Sequence, residues 1–298
     1  TLADSTVLPA EQRLAALHCW QQQLGGTINV AALAEIESQL VGKLQNPDEA
    51  RLLQQLPQLF ALLEQQSAAD RALIEKVVTT LTGGMIYDLT TFPMEESGEV
   101  LALQSWDELH HYTYREAGCV GEFWTEISIA HLPPLHHWQQ HHAQLGIRFG
   151  KGLQLTNILR DLPRDLRLGR CYLPQSLLQQ HGLSVAMLLD RRHSVAARPL
   201  LNVGIEQALA HFAVATQYVI AIPRRCLRLR LAALWPLLIG LATLERLATR
   251  SDEWLDVDHV AKVERQWVYR MILLSLLCVA SNSLVRFWVR RLVGKISR

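Results

Sequence analysis

The sequence predicts an all-α fold in a single domain. Leu, Ile and Val recur at three- and four-residue spacings along most of the 298 residues, which is the period of an amphipathic helix. Strand-like alternation bounded by hairpin turns is not evident. No internal repeat, low-complexity linker or shift of composition marks a boundary. The chain is long enough to bury a sizeable core, so we expect one domain over residues 1–298.

The predicted helices follow one another between short turn signals. The first three read AEQRLAALHCWQQQL, PDEARLLQQLPQLFALLEQQ and DRALIEKVVTTLTGGM. Turns are predicted where Gly, Pro and small polar residues cluster. These clusters are LGGT (24–27), QNPDE (45–49), FPMEESGE (92–99), HLPPL (131–135), LPQS (173–176) and AIPRR (221–225).

Composition and charge exclude several classes of protein. Apolar residues at 49% and charged residues at 19% are typical of a folded globular chain. A net charge of +1 gives no electrostatic argument for nucleic acid, so we expect no nucleic-acid partner. The charge is uneven, because residues 223–298 hold 14 Lys/Arg against 6 Asp/Glu, and the remainder holds 15 against 22. Such a basic end is compatible with docking on an anionic membrane surface.

The cysteines and the apolar stretches indicate the cellular compartment. Five cysteines, never in a CxxC, fit a reducing compartment and predict neither a disulfide framework nor a zinc site. No signal peptide is visible. The uncharged stretches 231–244 and 271–285 fall short of the roughly 18 to 20 apolar residues that a spanning helix needs. We expect a cytoplasmic protein, at most peripheral on the inner membrane face.

The C-terminal segment NSLVRFWVRRLVGKISR combines apolar and basic residues. Leu284 and Phe287 alternate with arginines, and no acid follows Glu264. A basic amphipathic tail over 284–298 that lies on a membrane is one interpretation. A packed terminal helix with a solvated basic face is the other.

One predicted helix, GIRFGKGLQLTNILRD, carries a row of polar residues. Gln154, Asn157, Asp161 and Asp165 follow at i, i+3, i+7 and i+11, so they share one face. Amide and carboxylate oxygens on an otherwise apolar helix suit a hard cation such as Mg²⁺. This spacing therefore indicates a candidate metal site.

Other residues near this row leave that interpretation open. Arg160 and Arg170 flank it and could hold the non-metal oxygens of a phosphate. Pro163 lacks a backbone N–H and is expected to kink the helix. On spacing alone, a polar helix end with solvated charges explains the two aspartates as well. The acid of the opening TLADS, Asp4, carries no signal by itself.

The segment HHYTYREAGCVGEFWTEI (110–127) brings small residues and tyrosines together. Ala117, Gly118 and Gly121 lie on a predicted helix, where glycine costs helix stability. They would allow another helix or a long flat ligand to approach closely. Tyr112 and Tyr114 could offer a hydroxyl to a reacting carbon skeleton, although core tyrosines beside close helix packing explain them equally.

Two further motifs predict no site. GIRFGKGL (146–153) lacks the spacing and the Ser/Thr of a phosphate loop, and no GxGxxG follows a strand. His137 and His141 stand at i and i+4, a spacing that can bind a transition metal on a helix. With no third ligand in view, a solvated polar helix face is the favoured interpretation.

Three segments resemble the squalene/phytoene synthase family. They are GGMIYDL (83–89), YTYREAGCVG (112–121) and QLTNILRDLPRDLRLGRCYLP (154–174). The chain is most similar to a bacterial squalene synthase, and its N-terminal helices are expected to be missing. TLADS resembles the tail of the family's DTxxD motif, whose leading Asp would precede Thr1. The resemblance implies a helical bundle of the isoprenoid synthase type, with a central cavity between two facing aspartate motifs.

The resemblance also implies an activity. It is the Mg²⁺-dependent head-to-head condensation of two farnesyl diphosphates to presqualene diphosphate and squalene, with Mn²⁺ as an alternative metal. NADPH would supply the hydride if the product is squalene. A phytoene or dehydrosqualene synthase, the former using geranylgeranyl diphosphate, and a weakened or non-enzymatic relative are the alternatives. The implied assembly is a monomer or a homodimer.

The family's site residues carry over by position. Asp161 and Asp165 match the second aspartate motif and Asp4 the last acid of the first, so these three and Asn157 are the implied metal ligands. Tyr112 matches a family tyrosine and joins the two aspartates as a catalytic candidate. The implied substrate-binding residues are Gln154, Asn157, Arg160, Arg170 and Asp88.

The chain departs from the family pattern at three places. Arg164 replaces the acid of the usual DxxED, Glu116 replaces a valine, and LATLERL (241–247) replaces a tyrosine-containing helix. We expect these changes to weaken metal binding or to alter the product. The Thr of the first motif favours the squalene type.

Overall fold

The computed structural model describes residues 9–24, 38, 47–92, 98–258 and 260–297. The chain divides into two compact units, Thr1–Met94 and Glu95–Arg298. Nearly every described element is a helix, so the predicted all-α fold class is confirmed. A single domain over residues 1–298 stays a prediction.

The described part of the first unit is helical. Its helices are α1 (Ala10–Leu24), α2 (Pro47–Gln54), α3 (Leu56–Glu64) and α4 (Ala68–Thr91). Trp20 of α1 lies against Phe60 of α3 with 5.1 Å between ring centroids, and Val78 of α4 packs on the same cluster. The Ser67 side chain accepts a hydrogen bond from the backbone N–H of Asp70, a capping contact that fixes the start of α4.

The second unit contains longer helices joined by short turns. Its helices are α5 (Trp106–Thr113), α6 (Cys119–His131), α7 (Gln140–Arg167), α8 (Gln175–Gln180), α9 (Val185–Leu188), α10 (Ser194–Ala221), α11 (Leu227–Thr249), α12 (Arg265–Cys278) and α13 (Asn282–Ile296). A π-helical turn, Tyr114–Gly118, joins α5 to α6, and 3₁₀ turns span Pro133–Leu135, Arg191–His193 and Ser251–Glu253. Residues 110–127 therefore run through three helical segments, and the predicted helix around Ala117, Gly118 and Gly121 is π-helical up to Gly118 and α-helical from Cys119.

Helix α7 lies at the centre of this unit. It packs against α6, α10 and α11. Leu155, Leu159 and Leu162 are buried on its apolar side. The indole N–H of Trp254 donates to the Leu159 carbonyl at 2.7 Å and ties the chain after α11 to α7. Since burial holds the apolar side in place, the polar row of α7 has a fixed direction.

Helices α6 and α7 approach each other through glycines. A Cβ atom built on Gly121 would lie 2.0 Å from the carbonyl oxygen of Gly146, and one on Gly150 would lie 2.1 Å from that of Ala117. Any side chain at these glycines would force the two backbones apart. The predicted close approach of a helix to this small-residue segment is confirmed.

Helix α7 ends in a turn that places Arg170. The helix continues through Pro163 to Arg167 without interruption. Gly169 then adopts a φ of 77°, the left-handed conformation that glycine takes at helix ends. The chain next forms β2 (Arg170–Cys171), which pairs in parallel with β1 (Leu101–Ala102). A two-residue strand shows no alternation, so the sequence pattern gave no sign of it.

Helix α11 is longer and more apolar than the sequence analysis expected for any segment. Among the described residues it is the one helix long and apolar enough to cross a membrane, because it extends on both sides of the uncharged run 231–244. More than half of its apolar window is buried, and α7, α10, α12 and α13 pack against it. The core helix of a folded protein meets the same criteria.

Candidate active site

A cavity of about 470 Å³ lies between the π-helical turn, α6, α7, α10 and α11. Trp124, Phe149, Leu153 and Pro236 provide much of its apolar wall. The polar side chains on its wall are those of Glu116, Gln154, Asn157 and Tyr218. An apolar cavity with a few polar groups is the usual form of a small-molecule site.

The predicted polar row connects this cavity to the two aspartates. Gln154 and Asn157 line the cavity, and Asp161 and Asp165 follow on the same helix. At a rise of 1.5 Å per residue, they lie about 6 and about 12 Å beyond Asn157 along the axis. All four side chains are half-buried. The helix thus runs from the cavity wall to a carboxylate pair, and the four residues lie on one helix, as the spacing predicts.

Arg160 forms a two-pronged ion pair with the next residue. Its Nε and Nη2 atoms donate to the two carboxylate oxygens of Asp161 at 2.8 and 2.5 Å. This hydrogen bonding raises the pKa of Arg160, and the charges of Asp161 and Asp165 add to the effect. Both carboxylates therefore act on one guanidinium. Arg164 is exposed, where solvent screens its charge.

The oxygen donors of the polar row suit a hard divalent cation. Among the residues that the structure describes, no group of three or more His, Cys, Asp or Glu is placed to hold a metal ion. The candidate metal ligands on α7 are the carboxylates of Asp161 and Asp165 and the amide of Asn157. Mg²⁺ commonly binds through one or two carboxylates together with substrate phosphates and water. The row fits that mode and does not form an all-protein cage.

The two tyrosines before the small residues differ in position. Tyr112 is buried and stacks on Tyr172, with ring centroids 4.4 Å apart and an interplanar angle of 16°. Tyr114 is half-buried in the π-helical turn, and its hydroxyl donates to Glu122 at 2.7 Å. Burial, followed by this hydrogen bond, raises the pKa of Tyr114. The catalytic role of Tyr112 stays a prediction.

The remaining predicted residues lie on other elements. Arg170 is half-buried in β2, and Asp88 is half-buried on α4 in the first unit. Asp4 lies outside the described residues. His137 precedes α7, so it does not share a helix face with His141, and the interpretation of this pair as one helix face is wrong.

Sequence reasoning missed a group of arginines beside Arg160. A small cavity of about 30 Å³ is lined by Arg160, Arg246 and Arg250. Arg246 is held by Glu264, with 2.6 Å between Nη2 and Oε1. Arg246 falls inside LATLERL, a segment that drew attention only for its missing tyrosine. Arg246 is far from Arg160 in sequence, so no local pattern predicted that the two line one cavity.

Tyr218 is a second missed residue. Its ring lines the cavity, and its hydroxyl lies 3.0 Å from that of Thr125. Burial raises the pKa of Tyr218 to about 12, so the phenol stays protonated at neutral pH. Tyr218 and Thr125 are 93 residues apart, and no local pattern connects them.

The chain is similar in sequence to known proteins. The family model for squalene/phytoene synthase matches residues 1–267. Over 110 residues the chain is 38% identical to phytoene synthase 3, chloroplastic, of Zea mays, a stretch that covers 37% of this chain and 25% of that protein. Over 120 residues it is 37% identical to presqualene diphosphate synthase of Rhodopseudomonas palustris, which covers 39% of each. These matches span well under two thirds of either relative.

A solved structure shares the fold. A complex of TcSQS with a ligand superposes with a TM-score of 0.71 over 99% of this chain and 79% of that chain, at 18% identity. At this identity the likeness shows the fold alone, which is the all-α fold of isoprenoid synthases.

Proposed function

Since the chain belongs to the squalene/phytoene synthase family, we propose that it condenses two farnesyl diphosphates head to head, giving presqualene diphosphate and then squalene. The observation that carries the proposal is the geometry of α7. One helix lines an apolar cavity with Gln154 and Asn157 and presents Asp161 and Asp165 beyond it. A prenyl diphosphate has the same two parts, an apolar chain and an anionic head.

The cavity wall suits a cationic reaction. In the first step the allylic C–O bond breaks and diphosphate leaves with the electron pair. The double bond of the second substrate then attacks the allylic cation, and loss of a proton closes a cyclopropane. Trp124, Phe149 and Leu153 would keep water from the cation, which water would otherwise trap as an alcohol.

The polar residues would bind the head group. We propose that Asp161, Asp165 and Asn157 hold Mg²⁺, or Mn²⁺ in its place, together with the diphosphate. When bound, the metal supplies charge neutralisation of the leaving group. Arg160 and Arg170 would bind the remaining diphosphate oxygens. For squalene as the product, NADPH would supply the hydride.

A second candidate has a specific observation in its favour. The Zea mays relative is named a phytoene synthase and is as similar as the presqualene diphosphate synthase. Geranylgeranyl diphosphate would then be the substrate. A catalytically weakened relative is the third alternative, and Arg164 is the residue that favours it.

Radiolabelled farnesyl and geranylgeranyl diphosphates test these proposals. Each is incubated with the protein and Mg²⁺, with and without NADPH, and diphosphate release and labelled products are measured. Label that stops at presqualene diphosphate without NADPH and proceeds to squalene with it supports the first candidate. Turnover of geranylgeranyl diphosphate alone supports the second. If diphosphate is released from neither substrate, both enzymatic candidates are contradicted.

A further inference from the structure

Helix α12 exposes a row of large apolar side chains. The exposed fractions are 69% for Tyr269, 65% for Leu273, 54% for Leu276 and 75% for Leu277. At the helical period these residues lie on one side of α12. The opposite side packs on α11, where the indole N–H of Trp235 donates to the buried Ser275 hydroxyl at 2.8 Å. An exposed apolar row of this kind marks an interaction surface.

Helix α13 adds a second exposed surface with a basic rim. Leu284 is 45% exposed and Phe287 is 63% exposed, while Val285 and Val289 are buried on the other side. The exposed arginines of the two helices have no ion pair with any residue that the structure describes. They are Arg265, Arg270, Arg286, Arg290 and Arg291. No Asp or Glu follows Glu264 in the sequence, so this surface has a single sign of charge.

A buried arginine fixes both helices. Arg230 of α11 is fully buried, and its Nε donates to the carbonyl of Val279, between α12 and α13, at 2.8 Å. Its Nη2 donates to Oδ1 of Asn282 at 2.8 Å and its Nη1 to the carbonyl of Ile222. The two exposed faces are thus held on the second unit and do not belong to a loose tail.

We propose that the exposed sides of α12 and α13, together called the lipid-docking face, place the protein on an anionic lipid surface. Their apolar residues are Tyr269, Leu273, Leu276, Leu277, Leu284 and Phe287, and the exposed arginines form a rim. Leucines and aromatic rings with an arginine rim are typical of helices that lie in the membrane interface. At 14 residues α12 is about 21 Å long, less than the roughly 30 Å hydrocarbon core, so it lies in the surface and does not cross it.

The charge of the lipid-docking face favours a lipid surface as its partner over a second copy of the chain. A two-fold contact through the face would bring arginines against arginines. Anionic head groups attract each of them. The inference stands on the composition and exposure of this face and is independent of the proposed reaction.

Vesicle flotation tests the proposal with the full chain and no substrate. The protein should float with vesicles of phosphatidylcholine and phosphatidylglycerol, and less with phosphatidylcholine alone, and salt should weaken the binding. Leu273→Glu with Leu277→Glu should weaken partitioning by about tenfold or more. The matched control, Leu189→Glu with Val195→Glu, also changes two exposed apolar residues, at 50% and 66%, and should bind as the parent does.

A charge series provides the second arm. Changing Arg286, Arg290 and Arg291 to Gln should remove the preference for anionic vesicles, whereas changing Arg191, Arg192 and Arg198 to Gln should preserve it. If circular dichroism shows that the leucine variant is unfolded, the charge series is the test that decides the proposal. Absence of parental binding to either vesicle, or equal loss in both charge variants, overturns the proposal.

Light scattering tests the alternative that the face binds a second copy of the chain. A parental dimer that the leucine pair converts to a monomer, without vesicle binding, assigns the face to a second copy and overturns the lipid proposal. Diphosphate release is assayed separately in solution. Vesicle binding without diphosphate release supports the lipid-docking face and contradicts the proposed reaction. Diphosphate release without vesicle binding contradicts the lipid-docking face and supports the proposed reaction.

Discussion

The guanidinium of Arg160 holds both carboxylate oxygens of Asp161, at 2.8 and 2.5 Å. The two residues are neighbours on α7, between Asn157 on the cavity wall and Asp165. The Asp161 carboxylate is thereby oriented, and a bound metal would share it with Arg160. Replacing either residue should therefore change metal binding.

Replacing Asp161 with Asn should reduce diphosphate release by about a hundredfold or more, because the metal loses a charged ligand. The matched control is Asp252→Asn, an exposed aspartate of a 3₁₀ turn, which should retain parental turnover. Turnover is measured over a range of Mg²⁺ concentrations. Parental activity in the Asp161 variant would refute the metal role.

Replacing Arg160 with Gln should separate metal binding from substrate binding. Without the competing guanidinium, half-maximal turnover should need less Mg²⁺. KM for farnesyl diphosphate should rise about tenfold, because a charge-assisted contact to diphosphate is lost. Steady-state kinetics with both ligands varied measures the two effects. An unchanged KM contradicts the proposed contact with diphosphate.

Replacing Gly121 with Ala should destabilise the fold by about 2 kcal/mol or more, because the new Cβ would lie 2.0 Å from a backbone oxygen of α7. Gly294 of α13 is the control, since a Cβ there meets nothing within 4 Å. Gly294→Ala should be neutral or stabilising by up to about 1 kcal/mol. Urea unfolding midpoints compare the two, and equal midpoints would rule out the close approach.

Replacing Arg230 with Met should cost about 3 kcal/mol of stability, because two buried carbonyls and the Asn282 side chain lose their donor. Arg228→Met on the same helix should change stability by less than about 0.5 kcal/mol, since Arg228 is exposed. Thermal and urea unfolding measure the difference. Equal stability of the two variants would show that Arg230 does not fix the α12–α13 turn.

Stability should depend on pH through His211. Burial lowers the pKa of His211 to about 4, and the charges of Arg148, His110 and Lys151 add to the effect. Arg148 Nε donates to His211 Nδ1 at 2.9 Å, which requires the neutral ring. Because the folded pKa lies below the unfolded value of 6.5, this contribution is present above about pH 6.5 and is lost as pH falls towards 4. The loss should reach about 3 kcal/mol.

His211→Gln isolates that contribution, because Gln keeps an acceptor for Arg148 and does not titrate. Its free energy of unfolding should fall less than that of the parent between pH 6.5 and 4. The exposed His181→Gln should follow the parental curve. Identical slopes for the parent and His211→Gln would assign the acid sensitivity to other groups.

Local patterns predicted what depends on local spacing. The order Gln154, Asn157, Asp161 and Asp165 lies on one helix as predicted, because helical period alone decides which residues share a face. Ala117 and Gly121 predicted a close neighbour for the same kind of reason, since small residues leave room. The sequence did not show that the neighbour is α7 itself.

The sequence by itself determined an all-α chain, the polar row on α7 and the small-residue segment that α7 approaches. Only the tertiary structure decided what surrounds them. It brought Tyr218 and Pro236 to the cavity wall, Arg246 and Arg250 beside Arg160, and the apolar side of α12 to the surface. Side-chain periodicity is a property of one helix, whereas the choice of neighbours depends on packing between segments far apart in sequence, which no local pattern records.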